Sequence, residues 1–137
     1  MKIRLIKKSD FDEIYNMWND AGLSLFSYKI EKREFDDMLA INPDTCFVAI
    51  DKNRIIGTIF GTTNGCRGFI FHLAVDPDWQ GQGIGKKLLK SIENPLKKKK
   101  LRILYLMVDS DNLKVTTFYE KCGYEKYTGS ILMRKKI

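Results

Sequence analysis

The chain has 137 residues, of which 44% are hydrophobic and 30% charged, and it carries a net charge of +7. This length supports one hydrophobic core, so we expect a single domain, Met1–Ile137. Its apolar runs are far shorter than the roughly 20 residues of a membrane-spanning helix, and its amino terminus lacks the apolar core of a secretory signal. Three widely spaced cysteines and one histidine form no metal-ligand pattern. We therefore expect a cytoplasmic protein with no membrane partner, no disulfide and no metal.

The 24 basic residues are spread along the chain, and only residues 97–100 form a block. This distribution is more typical of a solvated helix end than of a nucleic-acid surface, so we do not expect nucleic acid as a partner. The positive charge would also suit a cofactor that carries several phosphates.

The first part of the chain predicts a strand and a helix. Residues 1–6 alternate weakly, which indicates an edge strand. Ser9 is the expected N-cap of the helix, with Asp12 in the capping-box position, and Gly22 is the expected stop. An apolar face at helical spacing predicts the helix itself. That face comprises Phe11, Ile14, Tyr15 and Trp18.

The middle of the chain predicts a second helix and three strands. Residues 32–40 have weak helical character and end before Pro43, because the residue before a proline disfavours helical angles. Residues 46–50 and 54–60 are β-branched and apolar, and the short turn between them indicates a hairpin. Residues 69–75 are apolar at nearly every position, so we expect a central strand that is buried on both faces.

The last third predicts two helices around one further strand. A glycine-rich segment leads into a helix that Pro95 should end or kink near Glu93, because proline lacks the amide hydrogen. Residues 103–108 form the next buried strand. Residues 109–112 supply turn and N-cap chemistry for the last helix, which is expected to run to Lys121 and to be stopped by Gly123.

Two short closing strands, residues 124–127 and 131–135, would bring the number of strands to about seven. The predicted order contains one strand-helix-strand crossover among otherwise antiparallel neighbours. The sequence therefore predicts an α+β fold with a central mixed, mostly antiparallel sheet and four helices.

The most informative segment follows the predicted central strand. Here Gly81, Gly83 and Gly85 open an amphipathic helix. Glycines let an anion approach the backbone, and the first helical turn offers unpaired amide hydrogens and a partial positive charge. A tight turn alone would not require three glycines, so we expect a pyrophosphate site.

Two other glycine-loop motifs do not fit this segment. The nucleoside-triphosphate loop GxxxxGK[ST] would require glycine at position 80 and a hydroxyl at position 87, where the chain has Gln80 and Lys87. The dinucleotide fingerprint GxGxxG, started at Gly81, would require a third glycine where the chain has Lys86. Neither ligand class is therefore predicted.

The segment from Gln80 to Gly85 matches the signature [RQ]-x-x-G-x-[GA], and in this the chain resembles the GNAT superfamily of N-acetyltransferases. Asn112 and residues 118–124 resemble a second signature of this family. The resemblance covers nearly the whole chain and is strongest to short, single-domain bacterial and archaeal members. It implies a three-layer form of the α+β fold and acetyl-CoA as the acetyl donor. One departure is Val115, where the family usually has a small alanine, and this implies a tighter cofactor wall.

The resemblance also assigns cofactor contacts residue by residue. Backbone groups of the central strand hold the pantetheine arm, because this strand and the next splay apart and leave their edges unpaired. Amides of the glycine loop hold the pyrophosphate. The predicted cofactor-binding residues are Leu73, Ala74, Val75, Gln80, Gly81, Gln82, Gly83, Ile84, Gly85, Lys86, Asn112 and Tyr119. The last two are seven residues apart, so we expect them on one helix face.

The family mechanism is direct attack of a neutral amine on the thioester. Tyr119 matches the tyrosine that protonates the departing thiolate, and its alternative role is that of a core aromatic. We assign His72, the only histidine, as general base for the arriving ammonium, with Asp76 and Asp109 as alternatives. An acyl-cysteine at Cys122 is not expected, because the sequence shows no histidine partner for it.

These observations predict an acetyl-CoA-dependent N-acetyltransferase that acts in a ternary complex on a primary amine of a small molecule or on a protein amino terminus. The alternative is a non-catalytic module that senses acyl-CoA or binds RNA through residues 97–100. The intact glycine loop and the retained Tyr119 argue against the acyl-CoA sensor. The aromatic-rich residues 23–28 favour an uncharged or aromatic-bearing amine. The sequence leaves the acceptor, other acyl donors and the oligomeric state open, although members of this family are often homodimers.

Overall fold

A computed structural model describes all 137 residues, which divide into two compact units, Met1–Met107 and Val108–Ile137. The single domain expected over the whole chain stays a prediction. Short 3-10 turns lie at Lys8–Asp10 and Pro77–Trp79. The remaining elements are β1 (Lys2–Leu5), α1 (Phe11–Asp20), α2 (Tyr28–Ile41), β2 (Cys46–Asp51), β3 (Arg54–Thr63), β4 (Gly68–Val75), α3 (Ile84–Lys98), β5 (Leu104–Leu106) and α4 (Val115–Lys121).

The five strands form one sheet in the order β1-β2-β3-β4-β5, all within the first unit. Neighbouring strands are antiparallel except β4 and β5, which α3 connects as a parallel pair. The single crossover confirms the predicted mixed α+β fold with four helices.

The sheet has five strands instead of about seven, because neither closing segment, residues 124–127 or 131–135, forms a strand. Ile131, Leu132 and Met133 are between 75% and 89% exposed. These side chains are not buried and their backbone has no strand partner. Strand propensity alone does not keep a strand stable in water.

Helices α1 and α2 pack on one face of the sheet. The apolar face predicted for α1 is confirmed, since Phe11, Ile14 and Trp18 are buried. The Trp18 ring lies 5.7 Å from that of Phe60 on β3, and Phe35 of α2 lies 5.9 Å from the same ring. These aromatic contacts join both helices to the centre of the sheet.

The start of α1 differs from the prediction, because Ser9 lies in a 3-10 turn and does not cap the helix. The Asp10 carboxylate instead accepts a hydrogen bond from the Lys7 amide at 2.8 Å. It also binds the Arg4 guanidinium through two bonds of 2.8 and 3.0 Å. The ion pair between Asp10 and Arg4 of β1 therefore fixes where the helix begins.

Helix α3 packs on the opposite face and lies close to β3 because β3 has glycine at two inward positions. A Cβ at Gly57 would lie 3.0 Å from Leu88 Cδ1, and one at Gly61 would lie 3.2 Å from Leu96 Cδ1. The first unit thus has three layers, with α1 and α2 on one side of the sheet and α3 on the other.

Pro95 was expected to end or kink α3 near Glu93, but the helix continues to Lys98. The next turn carries Leu96 on the same apolar face as Ile92, and both side chains are buried. Burial of this face outweighs the one backbone hydrogen bond that proline removes.

Two further boundaries and the burial of one strand differ from the sequence expectations. Helix α2 begins earlier than residue 32, because the Ser27 hydroxyl accepts a hydrogen bond from the Ile30 amide at 3.4 Å. Strand β5 has only three residues, and β4 is half-buried at most positions instead of buried on both faces. The hairpin between β2 and β3 is confirmed, with positive φ at Lys52 and Asn53.

Candidate active site

Strand β4 changes character along its length. Gly68, Phe69 and Ile70 pair with β5 on one side and with β3 on the other. From Phe71 to Val75 the strand pairs with β3 alone, so the backbone groups of its other edge have no strand partner. Pairing with β5 thus ends at Ile70, and a chain of amide groups could bind along this edge in the manner of an added strand. The splaying of the two strands that the resemblance implied stays a prediction.

A β-bulge lies at the beginning of this unpaired stretch. Phe60 of β3 is opposite Phe71, whereas Thr58 is opposite Ala74, so two β4 residues share one β3 position. The first of these two, His72, has φ of 49°, which is left-handed backbone that a histidine rarely adopts. The surrounding structure must stabilise this conformation, because it costs about 1–3 kcal/mol for a residue with a side chain.

The His72 side chain lies among aromatic rings of the first unit. Its ring centroid is 4.4 Å from that of Trp18 and 5.9 Å from that of Phe60. Burial lowers the pKa of His72 below its usual value of 6.5, and the charge of Glu34 opposes this effect. The imidazole is therefore neutral near pH 7 and able to accept a proton, as a general base must.

The glycine loop connects β4 to α3 with two left-handed residues, Gly81 at φ of 77° and Gly83 at 81°. No atom lies within 4 Å of a Cβ built at either position, so the space beside the loop is open. The first helical hydrogen bond runs from the Lys87 amide to the Gly83 carbonyl at 3.2 Å. The three amides before Lys87 consequently lack a helical acceptor and are exposed to an incoming anion.

Gln80 has a role that the sequence did not indicate. Its side-chain Nε2 donates a hydrogen bond to the Val75 carbonyl at 3.0 Å, which ties the loop to the end of β4. This bond occupies one of the backbone groups assigned to the pantetheine arm. The open-edge groups of Leu73 and Ala74 make no such bond to a side chain.

Asp76, one of the alternative bases, is buried and structurally engaged. Its carboxylate binds the Arg54 guanidinium at 2.7 Å and accepts a hydrogen bond from the Asp78 amide at 2.9 Å. Only 3% of the residue is exposed. These contacts cap the turn after β4, whereas Asp109, the other alternative, lies exposed in the second unit.

The remaining predicted residues belong to the second unit. Asn112 lies in a turn before α4, where its amide donates to the Asp109 carbonyl at 2.9 Å, so the expectation that it shares a helix face with Tyr119 is wrong. The helix begins only at Val115, because the residues before it bond in tight turns instead of a continuous ladder. It ends at Lys121 as predicted, and Gly123, two residues on, has φ of 94°.

Tyr119 lies in the middle of α4, with its ring 5.2 Å from that of Phe118 and 6.0 Å from that of Tyr124. Burial and the nearby Cys122 raise the pKa of Tyr119 to about 12. The phenol therefore keeps its proton at neutral pH and can serve as a hydrogen-bond donor or an acid.

Two residues around His72 were not recognised as functional from the sequence. Trp18 was predicted only as part of a helical face, and Thr58 only as part of a strand. No sequence signal marks either of them, because the hydrogen bond that joins them connects positions 40 residues apart in the chain.

A separate cavity of about 110 Å³ lies between α1 and the β3 and β4 termini and contains none of the residues assigned to the cofactor. It is lined by Glu13, Asn16, Met17, Asp20, Arg54, Ile55 and Asp76. No set of three or more His, Cys, Asp or Glu side chains is arranged to hold a metal ion. None of the helices combines the length and apolar character needed to cross a membrane.

The chain is similar over its full length to known acetyltransferases. An acetyltransferase of Sodalis glossinidius (strain morsitans) is 31% identical over 137 residues, which cover 100% of this chain and 96% of the relative. The ribosomal-protein-alanine N-acetyltransferase from Escherichia coli superimposes with a TM-score of 0.78 at 23% identity, over 93% of this chain and 79% of that one.

A further solved structure, AAC(6')-Iy in complex with the bisubstrate analogue CoA-S-monomethyl-acetylneamine, has a TM-score of 0.80 at 18% identity. It covers 99% of this chain and 98% of its own. At sequence identities of 23% and 18%, these structural similarities establish the fold alone. The model of the Acetyltransferase (GNAT) family matches residues 11–124. The chain therefore belongs to the GNAT family of acetyltransferases.

Proposed function

We propose that the protein is an acetyl-CoA-dependent N-acetyltransferase. The observation that carries this proposal is strand β4, which is open on one side from Phe71 to Val75 and is followed, after the turn Pro77–Trp79, by a glycine loop with free helical amides. The two features match the two halves of coenzyme A, since pantetheine offers amides and the pyrophosphate offers negative charge. The alternative of a non-catalytic sensor or RNA-binding module is not favoured, because the matched relatives are acetyltransferases.

The residues of the first unit fit this cofactor. Backbone groups of Leu73 and Ala74 would hold the pantetheine arm. Amides between Gly81 and Lys86 would hold the pyrophosphate, because both glycines leave the approach open. Acetyl-CoA supplies an activated acetyl group as a thioester, and it is the expected cosubstrate of a family in which one similar protein is seen with a CoA analogue.

Transfer requires two proton movements, and the chain has a candidate for each. The neutral imidazole of His72 would accept a proton as the amine nitrogen bonds to the acetyl carbon. As the carbon-sulfur bond breaks, the phenol of Tyr119 would give its proton to the departing sulfur, the role that the family resemblance assigns to this position. An acceptor that arrives as an ammonium must first lose one further proton, which His72 would take up and pass to solvent before attack. The proton lost as the amide forms then equals the proton given to sulfur, so the transfer needs no oxidant.

The acceptor class is an amine, in line with the names of the similar structures. One of them acts on a ribosomal-protein alanine, and the other is bound to an acetylneamine derivative. A small-molecule amine and a protein amino terminus therefore both remain in the proposal. The cytoplasmic location and the homodimer also stay predictions.

The first experiment is calorimetric titration of acetyl-CoA and CoA into the wild type and into Gly83→Trp. The matched control is Gly65→Trp, since Gly65 also has positive φ and open space but lies in the turn before β4. We expect the substitution at residue 83 to abolish binding and the control to keep it. Absence of binding to the wild type would overturn the proposal.

The second experiment tests catalysis by release of the CoA thiol with pooled primary amines. Tyr119→Phe should retain acetyl-CoA binding and lose roughly 10²–10⁴-fold in kcat, because it removes only the acidic hydroxyl. Unchanged kcat would make Tyr119 a packing residue, which is its alternative role.

A further inference from the structure

The left-handed conformation of His72 requires a cause within the first unit. Three other non-glycine residues have positive φ, namely Lys52, Asn53 and Lys100, and each lies in a turn or at a helix end. His72 is the only one within a strand. It lies at the point where β4 changes from a strand paired on both sides to an open edge.

A buried chain of hydrogen bonds reaches the backbone of His72. The Trp18 Nε1 donates to the Thr58 hydroxyl at 2.9 Å, and this hydroxyl donates to the His72 carbonyl at 2.8 Å. The directions are fixed, because an indole nitrogen only donates and a carbonyl only accepts. Thr58 is 0% exposed and Trp18 is 1% exposed, so water does not compete for these bonds.

Trp18 also contacts the imidazole of His72. The Trp18 ring lies 4.4 Å from the His72 ring, so one tryptophan contacts the side chain and, through Thr58, the carbonyl of the same residue. The Thr58 hydroxyl thus supplies a hydrogen-bond donor for the His72 carbonyl, which lies at the bulge in the β3–β4 ladder.

We propose that Thr58, oriented by Trp18, is a positioning residue that locks the β4 bulge and thereby sets both the open cofactor-binding edge and the imidazole of His72. This inference rests on the proposed function, because it assigns a purpose to the same site. Without the hydroxyl, the buried Trp18 N–H would be unpaired, and the His72 carbonyl would lose its hydroxyl donor. Residue 72 would then relax towards ordinary strand angles, and a slip of the ladder by one residue turns each following side chain and backbone group to the other face.

The test compares Thr58→Val, which keeps the shape and removes the hydroxyl, with Thr58→Ser, which keeps the hydroxyl. Acetyl-CoA affinity, kcat and KM are measured for both, together with the free energy of unfolding. We expect Thr58→Val to weaken acetyl-CoA binding about tenfold and to lower kcat about a hundredfold, because small misplacements of reacting groups have effects of that size. Thr58→Ser should stay within about threefold of the wild type in both quantities.

A second pair of variants separates positioning from general stability. In a His72→Gly background, Thr58→Val should change acetyl-CoA affinity by less than about twofold, because glycine adopts positive φ without strain. Trp18→Phe, which removes the N–H together with part of the ring that packs on His72, should have the same direction of effect as Thr58→Val.

The outcomes are distinguishable from those of the proposed function itself. If the wild type neither binds acetyl-CoA nor releases thiol, the function fails. If the wild type is active and Thr58→Val lowers only the free energy of unfolding, with unchanged affinity and kcat, the positioning role is overturned. Equal loss of affinity in the wild-type and His72→Gly backgrounds would also overturn it, since the strain at residue 72 would then not be involved.

Discussion

The two halves of strand β4 differ in how their backbone groups are hydrogen-bonded. Residues Gly68 to Ile70 are paired on both sides, with Phe69 and Tyr105 stacked at 5.6 Å across the parallel ladder. Residues Phe71 to Val75 begin with a bulge, have one free edge and end at the glycine loop. The comparison shows how one strand can serve the fold at one end and leave hydrogen-bonding groups for a ligand at the other.

Side chains stabilise the fold in the paired half of the strand, whereas the open half has backbone groups that could bind a ligand. At the paired end, stability comes from apolar burial and complete ladders. At the open end, unpaired backbone groups and a strained residue reduce local stability. Substitutions at the two ends should therefore affect different measurements.

The largest effect is expected at His72 in the open half. His72→Asn should lower kcat/KM about a thousandfold by removing the base, while acetyl-CoA affinity stays within about threefold because asparagine tolerates left-handed backbone. Steady-state kinetics and calorimetry on the same preparations measure both quantities. An unchanged kcat/KM would show that His72 is only structural.

The next effect is expected in the paired half. Ile70→Ala should lower the free energy of unfolding by about 3 kcal/mol, because it leaves a cavity at a buried position. Acetyl-CoA affinity should not change. Urea denaturation provides the measurement, and Leu132→Ala, at an exposed position, is the control that should stay within about 0.5 kcal/mol of the wild type.

A smaller effect is expected at the end of the open half. Asp76→Asn should lower the free energy of unfolding by about 1.5 kcal/mol, since it weakens the bond to Arg54 but keeps an acceptor for the Asp78 amide. Its kcat should equal that of the wild type. A large loss of kcat would instead make Asp76 a candidate base again, and the exposed Asp78→Asn serves as the matched control.

The smallest effect concerns pH. Burial lowers the pKa of His72 in the folded protein, so between the folded and unfolded pKa values the unfolded chain binds more protons. The free energy of unfolding should therefore fall as the pH decreases below about 6.5. Denaturation at about pH 7.5 and about pH 5.5 should show a larger loss for the wild type than for His72→Asn. Equal losses would indicate that His72 is solvated.

The pH dependence of kcat/KM should reflect the same lowered pKa of His72. Because the folded imidazole stays neutral below its usual pKa of 6.5, the acid limb of the kcat/KM profile should lie below that pH. In His72→Asn this limb should be absent from the residual activity.

Much of the fold was predictable because its signals are local. Helical spacing in α1 and α3, the hairpin after β2 and the stops at Gly22 and Gly123 each depend on residues within a few positions. The errors have a common origin in long-range packing. Burial of Leu96 carried α3 past Pro95, and the lack of burial left residues 131–135 without strand pairing.

The sequence by itself determined the family signature, the glycine loop and the crossover order, because these depend on residue type and spacing along the chain. Only the tertiary structure decided where β4 opens, that His72 adopts left-handed backbone, and that Thr58 and Trp18 hold it there. The physical reason is that a bulge results from pairing between two strands and from a hydroxyl on the neighbouring strand. No residue of β4 specifies it alone.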